Sequence, residues 1–178
     1  DERSLTKLLS LLLSLFFVWG SGACLTAGAA VVPPARKIEP IFEANRGQAP
    51  PNVQFLSRAS NYFLRFLDDR IHVVSPAGPE FAMRFAGSDR NAPWSGEQQL
   101  DGITNYFRGS DPSRWVTEVP NFQAIRRTLY KGIDVEFRGD AGGAVEYRFH
   151  IAAHADPGLI RMHLDNSPRI DAGGNLVI

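Results

Sequence analysis

The sequence predicts an all-β domain, an antiparallel β-sandwich of about ten short strands that follows a cleavable signal peptide. Apolar and polar residues alternate over short runs, and turn-forming residues recur about every eight to twelve residues between them. The region after the signal has no stretch with the spacing of an amphipathic helix. The chain has 178 residues, 44% of them hydrophobic. This is enough for one domain with an ordinary core.

Residues 1–30 have the three parts of a secretory signal peptide. Two basic residues, Arg3 and Lys7, precede the apolar stretch LLSLLLSLFFVW, and small residues follow it. That stretch of about a dozen residues is too short to span a bilayer, which needs about 20. We expect cleavage just after Ala29 or Ala30.

The single cysteine, Cys24, leaves a second processing route open. Ser21, Gly22 and Ala23 are small, as before a lipidated cysteine, although Ser21 stands where leucine is usual. Lipidation of Cys24 is therefore the alternative to simple cleavage. A lone cysteine also excludes an intrachain disulfide framework and a zinc site with several thiolates.

Residues 31–39 predict an extended linker, because two consecutive prolines fix φ and remove backbone donors. The predicted sandwich domain covers residues 40–178. Its strands are expected at residues 53–57, 62–67, 71–75, 81–85, 105–107, 122–129, 133–138, 145–151, 160–164 and 176–178.

The predicted connections are short, with one exception. Asp68 and Asp69 form a two-residue hairpin turn, since Asp tolerates the left-handed backbone that such turns require. The polar stretch 87–99 is the long connection, and we expect a surface loop there. The last predicted strand ends with the sequence, so we expect the domain to continue beyond Ile178.

A second hairpin carries the strongest candidate for chemistry. On both sides of the glycine-rich turn at residues 139–143, apolar and charged residues alternate, as in a sheet that is packed on one face. Pairing Arg138 with Ala144 places Glu136 opposite Glu146. Two like charges in this position destabilise a sheet unless something offsets them.

Three arrangements would offset this carboxylate pair. Flanking Arg138 and Arg148 neutralise it, Ca²⁺ bridges it, or one carboxyl takes up a proton as the acid of a glycoside hydrolase does. We expect the first, because the sequence has no D-x-[DN]-x-[DN]-G calcium loop. Ca²⁺ is the only cofactor left open, and its candidate ligands are Asp134, Glu136, Asp140 and Glu146.

Aromatic residues offer a further type of site. Exposed Trp94 or Trp115 would present a flat ring to the apolar face of a sugar. The alternative is that these rings fill the core, which we expect for Trp115. Trp94 stays open because it lies in the predicted polar loop. We expect no zinc site, since the four histidines are scattered. No G-x-S-x-G nucleophile motif is present.

Several ordered motifs resemble one bacterial family. They are FEANRGQ at 42–48, VQF at 53–55, YFRGSDPSRW at 106–115, YKGIDV at 130–135 and ADP at 155–157. Together they are similar to the β-rich domain of unknown function found N-terminal to SBBP-type beta-propeller repeats in large secreted proteins. The resemblance covers about residues 40–178 and departs from the family pattern at Lys131 and His154, both turn positions.

This resemblance implies an extracellular or cell-surface location, with propeller, adhesion-like or sorting modules following, and it implies no activity. The positions that carry it are Asn45, Gly47, Gln48, Gly109, Trp115, Gly132, Asp134, Glu146, Asp156 and Pro157. We expect Asn45 and Gln48 to cap a turn with their side chains.

We therefore expect a non-catalytic secreted module of a bacterial surface protein, with an architectural or interaction role. Its expected partners are downstream repeat domains of the same chain and cell-surface or extracellular glycans or proteins. Lys and Arg total 19, as do Asp and Glu, so no charge excess points to nucleic acid. Membrane contact is expected only through the signal or a lipid anchor. The alternatives are a carbohydrate- or calcium-binding module and a glycoside hydrolase that uses Glu136 and Glu146.

Overall fold

The computed structural model describes residues 38–59, 61–76 and 80–165, together with 169–170, 172 and 176–177. The signal peptide, Cys24 and residues 31–37 of the predicted linker lie outside the described residues, so these expectations stay predictions. Within the described part, no helix has the length and apolar character needed to cross a membrane.

The described residues form an all-β domain, as predicted. Ten antiparallel strands make one curled sheet, a half-barrel, and two further short strands pair with each other. The strands are β1 Phe42–Ala44, β2 Val53–Arg58, β3 Phe63–Leu67, β4 Ile71–Val74, β5 Phe81–Phe85, β6 Ser95–Tyr106, β7 Val116–Tyr130, β8 Ile133–Gly139, β9 Val145–Ile151, β10 Met162–Leu164, β11 Arg169–Ile170 and β12 Leu176–Val177.

The long strand β7 organises the sheet. One of its edges pairs with β6, from Ser95 opposite Arg126 to Tyr106 opposite Val116. The other edge is shared end to end, by β8 over residues 124–130 and by β1 at residues 121–122. One arm of the sheet therefore continues from β8 to β9, and the other runs from β1 through β2, β3, β4 and β5 to β10.

The predicted two separate sheets are replaced by this single curled sheet, whose arms face each other across one core. Phe66 in β3 lies 5.1 Å from Phe137 in β8, measured between ring centroids. Phe85 in β5 lies 5.8 Å from Phe149 in β9. Alternation along a strand reports only which residues face inward. It therefore predicted most of the strands, though not β1 or most of β6, and could not distinguish one curled sheet from two.

The predicted surface loop 87–99 is wrong in its second half. Strand β6 begins at Ser95 and continues to Tyr106 over 12 residues. Its sequence, SGEQQLDGITNY, lacks the apolar alternation of a half-buried strand, and pairing with β7 holds it in place. The ring of Phe122 packs directly onto Gly96, where a Cβ atom would lie 2.4 Å from the ring.

The first predicted hairpin is confirmed. Phe66 pairs with Ile71, and the Leu67 amide donates to the Arg70 carbonyl at 2.9 Å, so Asp68 and Asp69 form the turn. Neither aspartate is left-handed, however. The described non-glycine residues with positive φ are Gln98, Glu118 and His154.

Candidate binding site

The charged hairpin of β8 and β9 has a different register from the predicted one. Arg138 pairs with Glu146 and Glu136 with Arg148, so the two glutamates do not face each other. The turn sets this register, since the Asp140 carboxylate accepts from the Ala144 amide at 2.8 Å. A slip of two residues keeps every side chain on its face, and alternation therefore could not exclude the wrong register.

Glu136 is the buried carboxylate of this hairpin, with 6% of its surface exposed. Arg138 Nε lies 3.0 Å from its Oε1, while Arg126 Nη2 and His150 Nε2 lie 3.1 Å and 2.9 Å from its Oε2. Burial raises the pKa of Glu136, but the hydrogen bonds from Arg138, Arg126 and His150 outweigh it and hold the pKa below its usual range.

Arginine side chains neutralise both glutamates, as expected, although the two glutamates do not face each other. Arg138 contacts Glu136, whereas Arg148 contacts Glu146 at 3.2 Å. The four calcium candidates do not converge. The described residues contain no group of three or more His, Cys, Asp and Glu side chains placed to hold a metal ion. Asp134 pairs with His150 across the strands, and Asp140 caps the turn.

The prediction for Trp115 is wrong, and the open question on Trp94 is answered by its burial. Trp94 is buried, with 6% exposure, and its indole N–H donates to the Leu67 carbonyl at 3.0 Å, so it is a core residue. Trp115, expected in the core, is 37% exposed and lies edge-on against Phe107, whose ring centroid is 5.1 Å away. Trp94 directly precedes β6 in a mostly polar stretch, and that polar composition concealed its place in the core.

The residues that carry the family resemblance mostly build turns. The Asn45 side chain donates to the Val53 carbonyl at 2.7 Å, and that of Gln48 donates to the Ala44 carbonyl at 2.8 Å, which confirms the predicted cap. Asp156 caps the short 3-10 turn that begins at Pro157. Positive φ values require the glycines at three further positions, Gly47, Gly109 and Gly132.

The sequence did not predict a hollow that lies on the outer face of the sheet arm that runs from β1 to β10. Its cavity of about 340 Å³ is lined by Arg58 from β2, Phe63 and Arg65 from β3, Tyr106 from β6 and Arg108 beyond it, with further lining from residues 48–50 and from other residues of β2 and β3. We call this cavity the arginine hollow. Arg58 pairs with Phe63 across β2 and β3, so the two side chains are neighbours on the same face.

A buried carboxylate outside the lining of the arginine hollow holds two of its lining residues, Tyr106 and Arg58. Glu43 on β1 is 5% exposed and accepts a hydrogen bond from the Tyr106 hydroxyl. That hydroxyl in turn accepts from Arg58 Nη2 at 2.9 Å, and Arg58 Nε lies 3.7 Å from Glu43 Oε1. The hydrogen bond with Tyr106 raises the pKa of Arg58, whereas burial and the hydrogen bond to Glu43 raise the pKa of Tyr106. Both groups therefore keep their protons at neutral pH.

The lining of the arginine hollow is cationic and partly aromatic. The residues that line it include three arginines and no carboxylate. Within the described part of the chain, Arg65 and Arg108 have no carboxylate partner, and Arg108 lies 5.3 Å above the Tyr106 ring. Guanidinium groups in such a place can each bind a carboxylate or phosphate through two hydrogen bonds.

A second surface cavity, of about 410 Å³, has the opposite character. It contains Asp69, Glu80 and Asp165, and its basic groups are already paired. Arg70 lies 2.7 Å from Asp69, and His72 lies 3.4 Å from Glu80. Its charges satisfy one another, so this cavity is the weaker candidate.

Comparison with protein-family models gives a match that covers most of the chain. Residues 42–178 are similar to a family model described as a domain of unknown function, DUF7948. No curated protein and no solved structure matches the chain.

Proposed function

Because the chain belongs to the DUF7948 family, whose function is unknown, we propose a function from the geometry of the site. The domain is a non-catalytic binding module, and its arginine hollow holds the carboxylate of an acidic glycan. The observation that carries this proposal is that Arg65 and Arg108 line one cavity without a carboxylate partner among the described residues, beside Arg58, which is paired with buried Glu43.

The neighbouring rings favour a sugar acid over a small inorganic anion. Phe63 is 38% exposed beside Arg58. Apolar sugar faces pack on exposed aromatic rings, while a carboxylate on the same sugar reaches the guanidinium groups. The cavity of about 340 Å³ lies at the lower end of the usual range of ligand pockets.

The ion pairs of the hairpin formed by β8 and β9 support the non-catalytic part of the proposal. A hydrolase that used Glu136 and Glu146 would need both carboxylates at one substrate, yet each pairs across the sheet with an arginine instead. Both oxygens of Glu136 are bound by basic side chains.

Isothermal titration calorimetry with tetragalacturonic acid tests the proposal, and its methyl ester is the matched neutral ligand. Because charge-assisted hydrogen bonds carry the affinity, we expect the acid to bind at least about tenfold more tightly than the ester. Arg65→Ala should weaken binding by about tenfold, and binding should weaken in high salt. Arg161→Ala, which removes an exposed arginine outside the hollow, is the control.

The outcome also separates the possible anions. Equal binding of acid and ester, or none at millimolar concentration, would overturn the proposal. Inorganic phosphate that binds as tightly as the acid would show anion binding without sugar recognition, against the glycan assignment. Arg65 is the first choice for mutation because it has no carboxylate partner in the described residues, whereas Arg58 contacts buried Glu43.

We also propose that the module is exported and belongs to a bacterial surface protein with propeller repeats. The order of basic head, apolar core and small residues in residues 1–30 supports export. The intact mass of the exported protein tests it. Cleavage after Ala29 or Ala30 is expected, a lipidated Cys24 is the alternative, and a retained N-terminus would contradict both.

A further inference from the structure

We infer that Glu43 is the positioning residue of the arginine hollow and that it holds Arg58, through Tyr106, in place for the carboxylate of the glycan. The inference rests on the proposed function, since it names a residue outside the lining of the hollow on which binding there depends. Glu43 on β1 pairs with Leu56 on β2. Arg58 follows two residues later on β2 and therefore lies on the same face of the sheet as Glu43.

The contacts of Arg58 leave one side of its guanidinium group for a ligand. Arg58 Nε lies 3.7 Å from Glu43 Oε1, and Arg58 Nη2 donates to the Tyr106 hydroxyl at 2.9 Å. That hydroxyl donates its own proton to Glu43 Oε2. A guanidinium group has five N–H donors, so these contacts leave Nη1 and the second N–H of Nη2 for the two oxygens of a carboxylate.

Tyr106 also places a second arginine of the hollow. The guanidinium group of Arg108 lies 5.3 Å from the centroid of the Tyr106 ring, and that of Arg58 lies 5.7 Å from it. The face of an aromatic ring attracts a cation at such distances. Because the hydroxyl is bound to both Glu43 and Arg58, the ring cannot turn away without breaking two hydrogen bonds. Glu43 therefore orders two of the three arginines.

Burial makes this arrangement firm before any ligand arrives. The Glu43 side chain is 7% exposed, whereas that of Arg58 is 53% exposed. The carboxylate is thus anchored within the protein, and the guanidinium group that it holds is accessible to a ligand. A hydrogen bond is electrostatically stronger in buried surroundings than in water. A long side chain that is already held in place adds less ordering cost to binding.

Charge and position predict opposite effects for Glu43→Gln. The substitution removes a negative charge beside the hollow, so electrostatic attraction alone predicts tighter binding of an acidic ligand. Positioning predicts binding that is weaker by about threefold to tenfold, the usual cost of ordering one long side chain on binding. Isothermal titration calorimetry with tetragalacturonic acid measures the sign. Tyr106→Phe keeps the charge of Glu43 and the aromatic ring, and it should weaken binding because the link to Arg58 is lost.

A double-mutant cycle separates positioning from general damage to the fold. Glu43→Gln and Tyr106→Phe should each weaken binding in the unchanged protein and have no further effect once Arg58→Ala is present. Where Glu43→Gln fails to fold, as circular dichroism would show, the cycle of Tyr106→Phe with Arg58→Ala gives the answer.

The outcomes distinguish this inference from the proposed function. Unchanged or tighter binding by the folded variants, or an equal loss in the presence and absence of Arg58→Ala, would overturn the role of Glu43. The proposed function would stand in that case, provided that the unchanged protein prefers tetragalacturonic acid over its methyl ester. Absence of that preference in the unchanged protein would overturn both.

Discussion

At the residue scale, Gly139 has a steric role that its place in a glycine-rich turn concealed. It lies where β8 and β1 meet end to end along β7, and a Cβ atom there would be 2.1 Å from the Pro40 carbonyl oxygen. The sequence predicted a turn glycine, because nothing local indicates that Pro40 lies alongside. Long-range contacts of this type leave no trace in sequence spacing.

We predict that Gly139→Ala lowers the free energy of unfolding by about 2 kcal/mol, because the methyl group forces the backbone of the two strands apart. Urea denaturation measures this change. Gly102→Ala is the control, since no atom lies within 4 Å of the Cβ position there. An equal effect of both substitutions would show that Gly139 does not lie against Pro40.

Glu136 gives the domain a pH dependence whose sign can be worked out. Its pKa is lowered in the folded state, so the unfolded chain binds the proton more readily. The stabilisation is complete above the unfolded pKa of about 4.3 and is lost as the pH falls through the lower folded pKa.

We predict that Glu136→Gln costs about 2 kcal/mol at neutral pH and reduces the loss of stability on acidification, since the charge-assisted hydrogen bonds are gone. Thermal unfolding between pH 7 and pH 3 measures both effects. Glu146→Gln, which removes a half-exposed carboxylate from the same face of the hairpin, should change little. A pH profile of Glu136→Gln that matches the unchanged protein would contradict the assignment.

At the scale of single elements, hydrogen bonds in a turn fix the strand register, which the alternation of apolar and charged residues does not determine. The strands of the second hairpin were predicted at nearly their observed bounds, but their register depends on Asp140. Its backbone N–H donates to the Ala144 carbonyl at 2.8 Å, and its side chain accepts from the Ala144 amide. The sequence offers no signal that distinguishes this loop, at residues 140–144, from the predicted one at 139–143.

We predict that Asp140→Ala lowers the free energy of unfolding by about 1 kcal/mol, because the turn amide loses its acceptor. Asp140→Asn keeps an acceptor oxygen and should cost less. Differential scanning calorimetry of both variants, with and without Ca²⁺, measures the change. A rise in melting temperature with Ca²⁺ that disappears in Asp140→Ala would support the calcium site and contradict the role of a simple turn cap.

The sequence did not predict the arginine hollow because its residues come from several strands and form no local motif. Its residues come from β2, β3 and β6, and strand pairing brings them together. The one usable signal was the hairpin register that sets Arg58 opposite Phe63. Only the end of β6 was predicted as a strand, at residues 105–107, and the part of β7 that pairs with it was not predicted, so Tyr106 could not be placed on the same face.

At the scale of the whole molecule, the two arms of the sheet share one core. The ring centroid of Phe66 lies 5.1 Å from that of Phe137 and 5.1 Å from that of Trp94. The centroids of Trp94 and Phe137 are 5.7 Å apart. We predict that the domain unfolds in a single transition, because neither arm can bury its inner face alone. Coincident urea curves from far-ultraviolet circular dichroism and tryptophan fluorescence would show this, and separate midpoints would contradict it.

The most direct test of the account is to locate the ligand on the folded domain. A ¹⁵N-labelled chain titrated with tetragalacturonic acid should show amide shift changes concentrated at Phe63, Arg65 and Arg108, with none from the methyl ester. Such a pattern would establish the arginine hollow as an acidic-glycan site. Shift changes spread over other surfaces, or none with either ligand, would contradict the claim that this half-barrel binds acidic glycans there.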